Sequence, residues 1–317
     1  MAFEGVKSNE SSERGKDVEI VFAPIRHGVR EGLHLTDFGR KMTAEYAQTR
    51  GQNYADFRDR GAVKAIGSMS GPSDQSPVGM PRAKETAHIY AREIAGDEAL
   101  TTRTDRRLQY DTMKIKPPYD HPAVYDPALE KALAKRGVKE LKDLQDAEKD
   151  AVTHEAQVAV FEHIFNLPKE ETRAWREENA GMFADMLAHY VDMSKRLNKG
   201  SRVLIPAGTH GGTMEWLLEQ ALVWKDEEGK EHLGISSMNE FKQLGGPFPS
   251  SDMYEIVIKR DSNGDVVLPL AVRFSDPKRP QKEMSLNSYR LIELTELFRN
   301  LHNDDDKRGL ENLRMYK

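Results

Sequence analysis

One apolar run constrains this chain more than any other feature. "VEIVFAPI" (18–25) sets Val18, Ile20, Val21, Phe22 and Ile25 side by side without the polar alternation of a half-exposed strand. Such a run is the pattern of a strand buried within a sheet. "SRVLIPAG" (201–208) repeats it. Around these two lie segments of helical period. "LTDFGRKMTAEYAQTRG" (35–51) has Thr36 or Asp37 as its cap and Gly51 as its stop. "RAKETAHIYAREIAG" (82–96) puts Ala83, Ala87, Tyr90 and Ile94 near one face, and "THGGTMEWLLEQAL" turns the second strand straight into another helix. "AVKAIGS" (62–68) predicts a further short strand, and "MYEIVIKR" and "DVVLPLAVRF" predict a hairpin turned by Ser262, Asn263 and Gly264. The alternation predicts an α/β chain, a three-layer α/β/α sandwich around a mainly parallel sheet.

The texture changes between about 112 and 198. "MKIKPPYDHPAVYDP" is irregular, and the charge-rich helical pattern after it ends in the long amphipathic "ETRAWREENAGMFADMLAHYVDMSKRLN". The expected organisation is a flexible arm over 1–17, one domain over 18–302 with a helical insertion at about 112–198 capping one end, and a polar tail over 303–317. The insertion would set substrate size and polarity through Tyr119, His121, Tyr125 and Trp175. Trp216 and Trp224, like Trp175, also suit core or cap packing.

The 317 residues carry a formal charge of −5 and no cysteine. Disulfides, thiolate metal sites and a cysteine nucleophile are thereby excluded. The charge balance gives no reason to expect a nucleic-acid partner. No apolar run approaches the roughly 18 residues of a membrane span, and the polar first residues lack the apolar core of a signal peptide, so a cytoplasmic protein without a membrane partner is expected. His34, His88, His121, His154, His163, His189, His232 and His302 show no paired ligand spacing, and no metal or other cofactor is expected.

Three junctions carry unusual residues: Arg26-His27-Gly28 after the first strand, Arg82 at a helix start, and Thr209-His210-Gly211-Gly212 after the later strand. In an α/β sheet, ligands bind at the carboxyl ends of strands. Two arginines and two histidines there suit a phosphoryl group. Arginine offers a planar fork of donors and keeps its charge. A neutral histidine can attack phosphorus, and neighbouring guanidinium groups help keep it neutral. Glycines beside each histidine let the backbone approach a ligand closely.

"IRHGVREG…LTDFGR…PRAKETA…THGGT" resembles, in order, the four signature pieces of the histidine phosphatase superfamily, which includes the cofactor-dependent phosphoglycerate mutases and the histidine acid phosphatases. The resemblance spans roughly residues 18–220. It implies that His27 is the nucleophile of a transient phosphohistidine and that Arg26, Arg82 and His210 hold the phosphate. Arg30 fits a further phosphate-binding arginine of the acid phosphatase branch. That branch has an aspartate after its second histidine, where Gly211 stands here. The mutase-like branch draws its proton donor from an "RLxE"-like piece, here "RRLQYD" (106–111). Tyr110 takes the glutamate's place there, so Asp111 is the expected donor with Glu31 in reserve. The mutase signature of a small hydroxyl residue followed by Trp-Asn is replaced by "VREG", which points to a phosphatase. Ser76-Pro77 echoes the family's piece before the second arginine, with extra residues intervening. The implied activity is metal-independent hydrolysis of a small phosphomonoester. A phosphotransferase or mutase with the same nucleophile, and a silent phospho-ligand-binding relative, remain as alternatives.

Overall fold

In a computed structural model, which describes residues 13–32, 34–68, 80–97, 100–108, 113–302 and 313, the run at 18–25 becomes the strand β1 (Glu19–Arg26). Its two faces feed two cores. Ile20 and Phe22 pack with Phe183, Met186 and Tyr190, while Val21, Ala23 and Ile25 pack with Ala47, Tyr54, Tyr90 and Ile94. This is why polar alternation is missing from the sequence there. β1 leads into the two-residue strands β2 (Arg30–Glu31) and β3 (His34–Leu35), which pair as a hairpin. Next come the helices α1 (Asp37–Gly51) and α2 (Ala55–Arg60), the short strands β4 (Ala62–Val63) and β5 (Ile66–Gly67), the helix α3 (Arg82–Ala95) and the strand β6 (Arg103–Thr104).

The helices α4 (His121–Ala134), α5 (Asp146–Asn166) and α6 (Lys169–Ser194) precede β7 (Arg202–Thr209) and α7 (Glu215–Ala221). The chain then runs through β8 (Leu222–Lys225), β9 (Glu231–Leu233), α8 (Met238–Gln243), β10 (Tyr254–Lys259), β11 (Leu270–Phe274) and β12 (Met284–Leu286) to α9 (Ser288–His302). The sheet order is β6-β5-β7-β1-β10-β11-β12-β8-β9, with β4 also on β7. The strands β6, β5, β7 and β1 run parallel, with β1 and β7 ending at the site, and from β10 outward the ladders are antiparallel. Helices α1 and α3 cover one face of the central strands and α6, α7 and α9 the other, completing the α/β/α layers.

Some expectations change in detail. α1 ends at Gly51 as expected, but at a right-handed φ of −57° rather than in a left-handed cap, and a short turn leads on into α2. "AVKAIGS" is split into β4 and β5, both paired to β7. The hairpin at 261–265 forms, with Gly264 at φ 91°, but its second strand starts only at Leu270. Residues 284–286 form β12 ahead of the terminal helix.

The largest change concerns the segment 112–198. Only α4 and α5 lie over the strand ends, joined by a small core of Ala132, Leu133, Leu144 and Val152. α6 is a layer helix: Gly181 brings it so near α9 that a Cβ there would lie 2.7 Å from the Leu294 carbonyl oxygen. Residues 1–12 of the expected arm and all of the expected tail but Leu313 lie outside the described residues. Among the described residues no helix is long and apolar enough to cross a membrane.

Candidate active site

β1 and β7 run parallel with Arg26 beside Thr209, so His27 and His210 leave adjacent strand ends together. The His27 N–H donates to the Thr209 carbonyl at 2.9 Å, and the two imidazole rings lie 5.3 Å apart, edge to face. His27 Nδ1 is 2.9 Å from the Gly28 carbonyl oxygen. A carbonyl only accepts, so Nδ1 carries the hydrogen and Nε2 keeps the lone pair. Burial first, then His210, Arg82 and Arg26, hold the His27 pKa well below its usual value, so the ring is neutral at neutral pH. His210 Nδ1 faces Arg82 Nη2 at 3.5 Å and its Nε2 faces Ser68 Oγ at 3.3 Å. Burial and the Arg82, Arg30 and Arg26 charges bring its pKa down to about 3.

Arg26 is buried at the end of β1. Its Nη1 donates to the Phe248 carbonyl and lies 3.4 Å from His154 Nδ1, while its Nε–H has no acceptor among the described residues. A Cβ at Gly211 would come within 2.8 Å of that Nε, so glycine is required beside it. Arg82 opens α3, donates from Nη1 to the Gly32 carbonyl at 3.3 Å, and likewise has a buried Nε–H without an acceptor among the described residues. Burial, then Arg30, lowers its pKa to about 10, which leaves it cationic at neutral pH. Arg30 is exposed in β2 and donates to the same Gly32 carbonyl at 3.1 Å. Arg26, His27, Arg30, Arg82 and His210 line one cavity of about 840 Å³. Arg26 and Arg82, whose buried Nε–H donors lack acceptors among the described residues, both line this cavity, and an unmet buried donor costs about 1–3 kcal/mol.

The other quoted pieces position these side chains. Thr36 is the cap of α1 and accepts from the Gly39 N–H at 2.9 Å. Gly39 passes so close to Val29 that a Cβ would meet its carbonyl oxygen at 2.2 Å. Arg40 bridges to Glu85 of α3 at 2.6 Å. Thr86 accepts the Gly28 N–H at 3.0 Å and donates to the Arg82 carbonyl at 2.8 Å, linking the loop after His27 to the turn that carries Arg82.

Several site residues went unread in the sequence. Glu215 is buried and accepts from the N–H groups of Gly212 and Phe248 at 2.9 and 3.3 Å, tying the loop after His210 to the residue that holds Arg26. Glu215 is one of two acids in the otherwise apolar "TMEWLLEQAL", and an acid in such a stretch was the available signal. Asp150 and His154 of α5 face Arg26 from the cap, and Ser250 Oγ donates to Asp150 Oδ1 at 2.5 Å. In a charge-rich helix nothing marked them. Glu31 lines the cavity from exposed β2, whereas Tyr110, Asp111 and Ser76-Pro77 lie outside the described residues.

On the cap side of the cavity stands a wall of rings. Trp175 meets Tyr119 at 5.8 Å, Tyr119 meets His121 at 6.4 Å, and His121 stacks on Tyr125 at 5.2 Å. All four line the cavity. Trp216 and Trp224 are buried and serve packing.

No family model matches the chain, and no curated protein is similar to it in sequence. Solved structures to which it is similar include the Hafnia alvei phytase in its apo form, at 13% identity and a TM-score of 0.44 over 91% of this chain and 96% of that one. The Citrobacter braakii phytase aligns at 12% identity with a TM-score of 0.39, covering 90% and 97%. The mycobacterial glucosyl-3-phosphoglycerate phosphatase aligns at 14% identity with a TM-score of 0.29, covering 79% and 96%. Similarity this low carries no statement about what this chain acts on. The four signature pieces meet around one cavity at the parallel strand ends, and in those pieces the chain resembles the histidine phosphatase superfamily.

Proposed function

We propose that this protein is a metal-independent phosphomonoester hydrolase working through a phosphohistidine on His27. The observation that carries the reading is the neutral His27 imidazole, its Nε2 lone pair left for attack, in one cavity with Arg26, Arg30, Arg82 and His210. In this reading the phosphate of the substrate lies between the guanidinium groups of Arg26 and Arg82, which line the cavity. Arg30 closes the outer side, and His210 donates from Nε2. His27 Nε2 attacks phosphorus as the ester bond breaks. The arginines, whose donors are already in place, stabilise charge on the phosphoryl oxygens, a contribution of about 2.7–4 kcal/mol for one such donor. Water then attacks the phosphohistidine and releases phosphate. The ring wall of Tyr119, His121, Tyr125 and Trp175 faces the leaving group.

The test is inorganic phosphate released from a panel of phosphomonoesters in the presence of chelator, for wild type and His27→Ala. Release that survives chelator and disappears in the variant, with acid-labile phosphate trapped on the wild-type protein, is the expected result. Phosphate passed to a second alcohol with little release would identify a phosphotransferase. Phosphate-ester binding without turnover would identify a silent relative.

A further inference from the structure

We propose that Asp150, on the cap helix α5, is the acid that protonates the leaving oxygen, an assignment that rests on the hydrolase reading above. An alkoxide leaves poorly, and the groups around the phosphate cannot supply its proton. Arginine does not give up a proton in the working range, and a neutral imidazole N–H is far too weak an acid. Of the other side chains that line the cavity, tyrosines and lysines are weak acids, and a carboxyl group is the strongest donor available. Among the described residues the carboxyls lining it belong to Glu31 and Asp150. Glu31 stands exposed in β2. Glu215 accepts backbone hydrogen bonds at both carboxylate oxygens and does not line the cavity.

Asp150 is differently placed. It lies one helical turn before His154, whose Nδ1 is 3.4 Å from Arg26 Nη1, so both occupy the face of α5 turned toward the phosphate-binding arginine. Thr153 and Gln157 continue that face along the cavity. Ser250 donates to Oδ1, which fixes the carboxyl group and assigns the proton to Oδ2. Among the described residues Asp150 has no ion pair within 4 Å, and its neighbour Lys149 is engaged by Asp146 at 3.0 Å. Burial raises its pKa, with Ser250 and Arg26 opposing. An arriving phosphate dianion offsets the Arg26 charge and adds its own repulsion, so the carboxyl group takes up its proton as substrate binds.

The step balances. The bond from His27 Nε2 to phosphorus forms as the bond from phosphorus to the ester oxygen breaks, and the Asp150 Oδ2 proton passes to that oxygen, releasing the alcohol. The Asp150 carboxylate then removes a proton from the water that attacks phosphorus. The bond to Nε2 breaks, phosphate leaves, and both residues return to their starting states.

The experiment compares kcat/KM for wild type, Asp150→Asn and Ser250→Ala on two esters, with thermal unfolding as a folding control. Benzyl phosphate needs a proton on its leaving oxygen, whereas p-nitrophenyl phosphate releases a phenolate stable without one. Asp150→Asn is expected to lose about 10²-fold or more on benzyl phosphate while staying within about tenfold of wild type on p-nitrophenyl phosphate. Ser250→Ala should show the same selectivity in weaker form. Equal losses on both esters, or none on either, would overturn the proposal. So would selective loss in Asp111→Asn or Glu31→Gln with Asp150→Asn unaffected. Failure of the wild type to release phosphate from either ester would instead bring down the hydrolase reading, and the Asp150 assignment with it.

Discussion

In the proposed reaction His27 attacks as a neutral imidazole, and the groups that hold it neutral include the proposed phosphate ligands. Burial opposes the imidazolium, and His210, Arg82 and Arg26 repel it. The sign follows directly: a histidine with its pKa pushed down stays unprotonated below the usual 6.5, so activity should persist well into the acid range before this ring is lost as a nucleophile. Arg82→Gln removes one of those charges. Its kcat/KM is expected to fall by about 10²–10³-fold through the lost donor, and the acid limb of the surviving rate should move to higher pH. A pH–rate profile of the variant checks this, and an unmoved acid limb would separate Arg82 from the titration of His27. At this scale the sequence was informative where chemistry and geometry demanded rare residues together, as in Arg26-His27-Gly28. It was mute on Asp150 and His154, which differ from the solvated acids and bases of α5 only in the direction they face.

Among the elements, α3 does the most to assemble the site, because Arg82 is its first residue. It reaches the sheet through two bare backbone positions. A Cβ on Gly208 of β7 would fall 1.8 Å from the Ala83 carbonyl oxygen, and one on Gly67 would fall 2.4 Å from Lys84 Cα. Gly208→Ala therefore has to lift the first turn of α3 from the sheet. We expect it to destabilise the fold by at least about 1–3 kcal/mol, the usual cost of overpacking, and to lower activity more than the stability loss accounts for, since Arg82 moves with the turn. Urea unfolding and phosphate release on the same sample test this, and a variant with normal stability and rate would refute the close docking. The helices α1 and α3 were legible because their caps and apolar stripes are local. The place of α6 was not. Its charges resemble a solvated face, yet Arg176 pairs with Glu219 at 3.0 Å, Asp185 with Arg107 at 3.1 Å and Arg299 at 2.6 Å, and Glu178 accepts the N–H groups of Lys114 and Ile115 at 2.7 Å. Paired in this way, charged residues occupy the core of a layer, and their partners lie too far away along the chain for any periodicity to reveal them.

Across the whole molecule, the parallel strands at the site could be read from two unbroken apolar runs, whereas the antiparallel half is built of strands of three to six residues whose pairing depends on remote partners. The site they share also leaves a mark on global stability. His27, His154 and His210 all have lowered pKa values, His154 to about 4 and His210 to about 3, with burial the first cause in each. Once unfolded, each regains the ordinary value near 6.5. Between the two values the unfolded chain binds protons that the folded chain refuses, so these rings subtract stability as pH drops below about 6.5, at up to about 1.4 kcal/mol per pH unit for each such proton. Asp150, Glu215 and Glu219 act in the opposite sense, since their raised pKa values let the folded chain take protons first. The net curve mixes both, but a single replacement isolates one proton. His210→Gln removes a site that is neutral when folded and protonated when unfolded, so its stability should fall less steeply with acidification than that of wild type. Urea midpoints at steps between about pH 7.5 and 4.5 read the difference. A variant curve parallel to wild type would mean that His210 titrates as it does in water, and a histidine so exposed could not fill the buried place beside His27 that the proposed phosphate site requires.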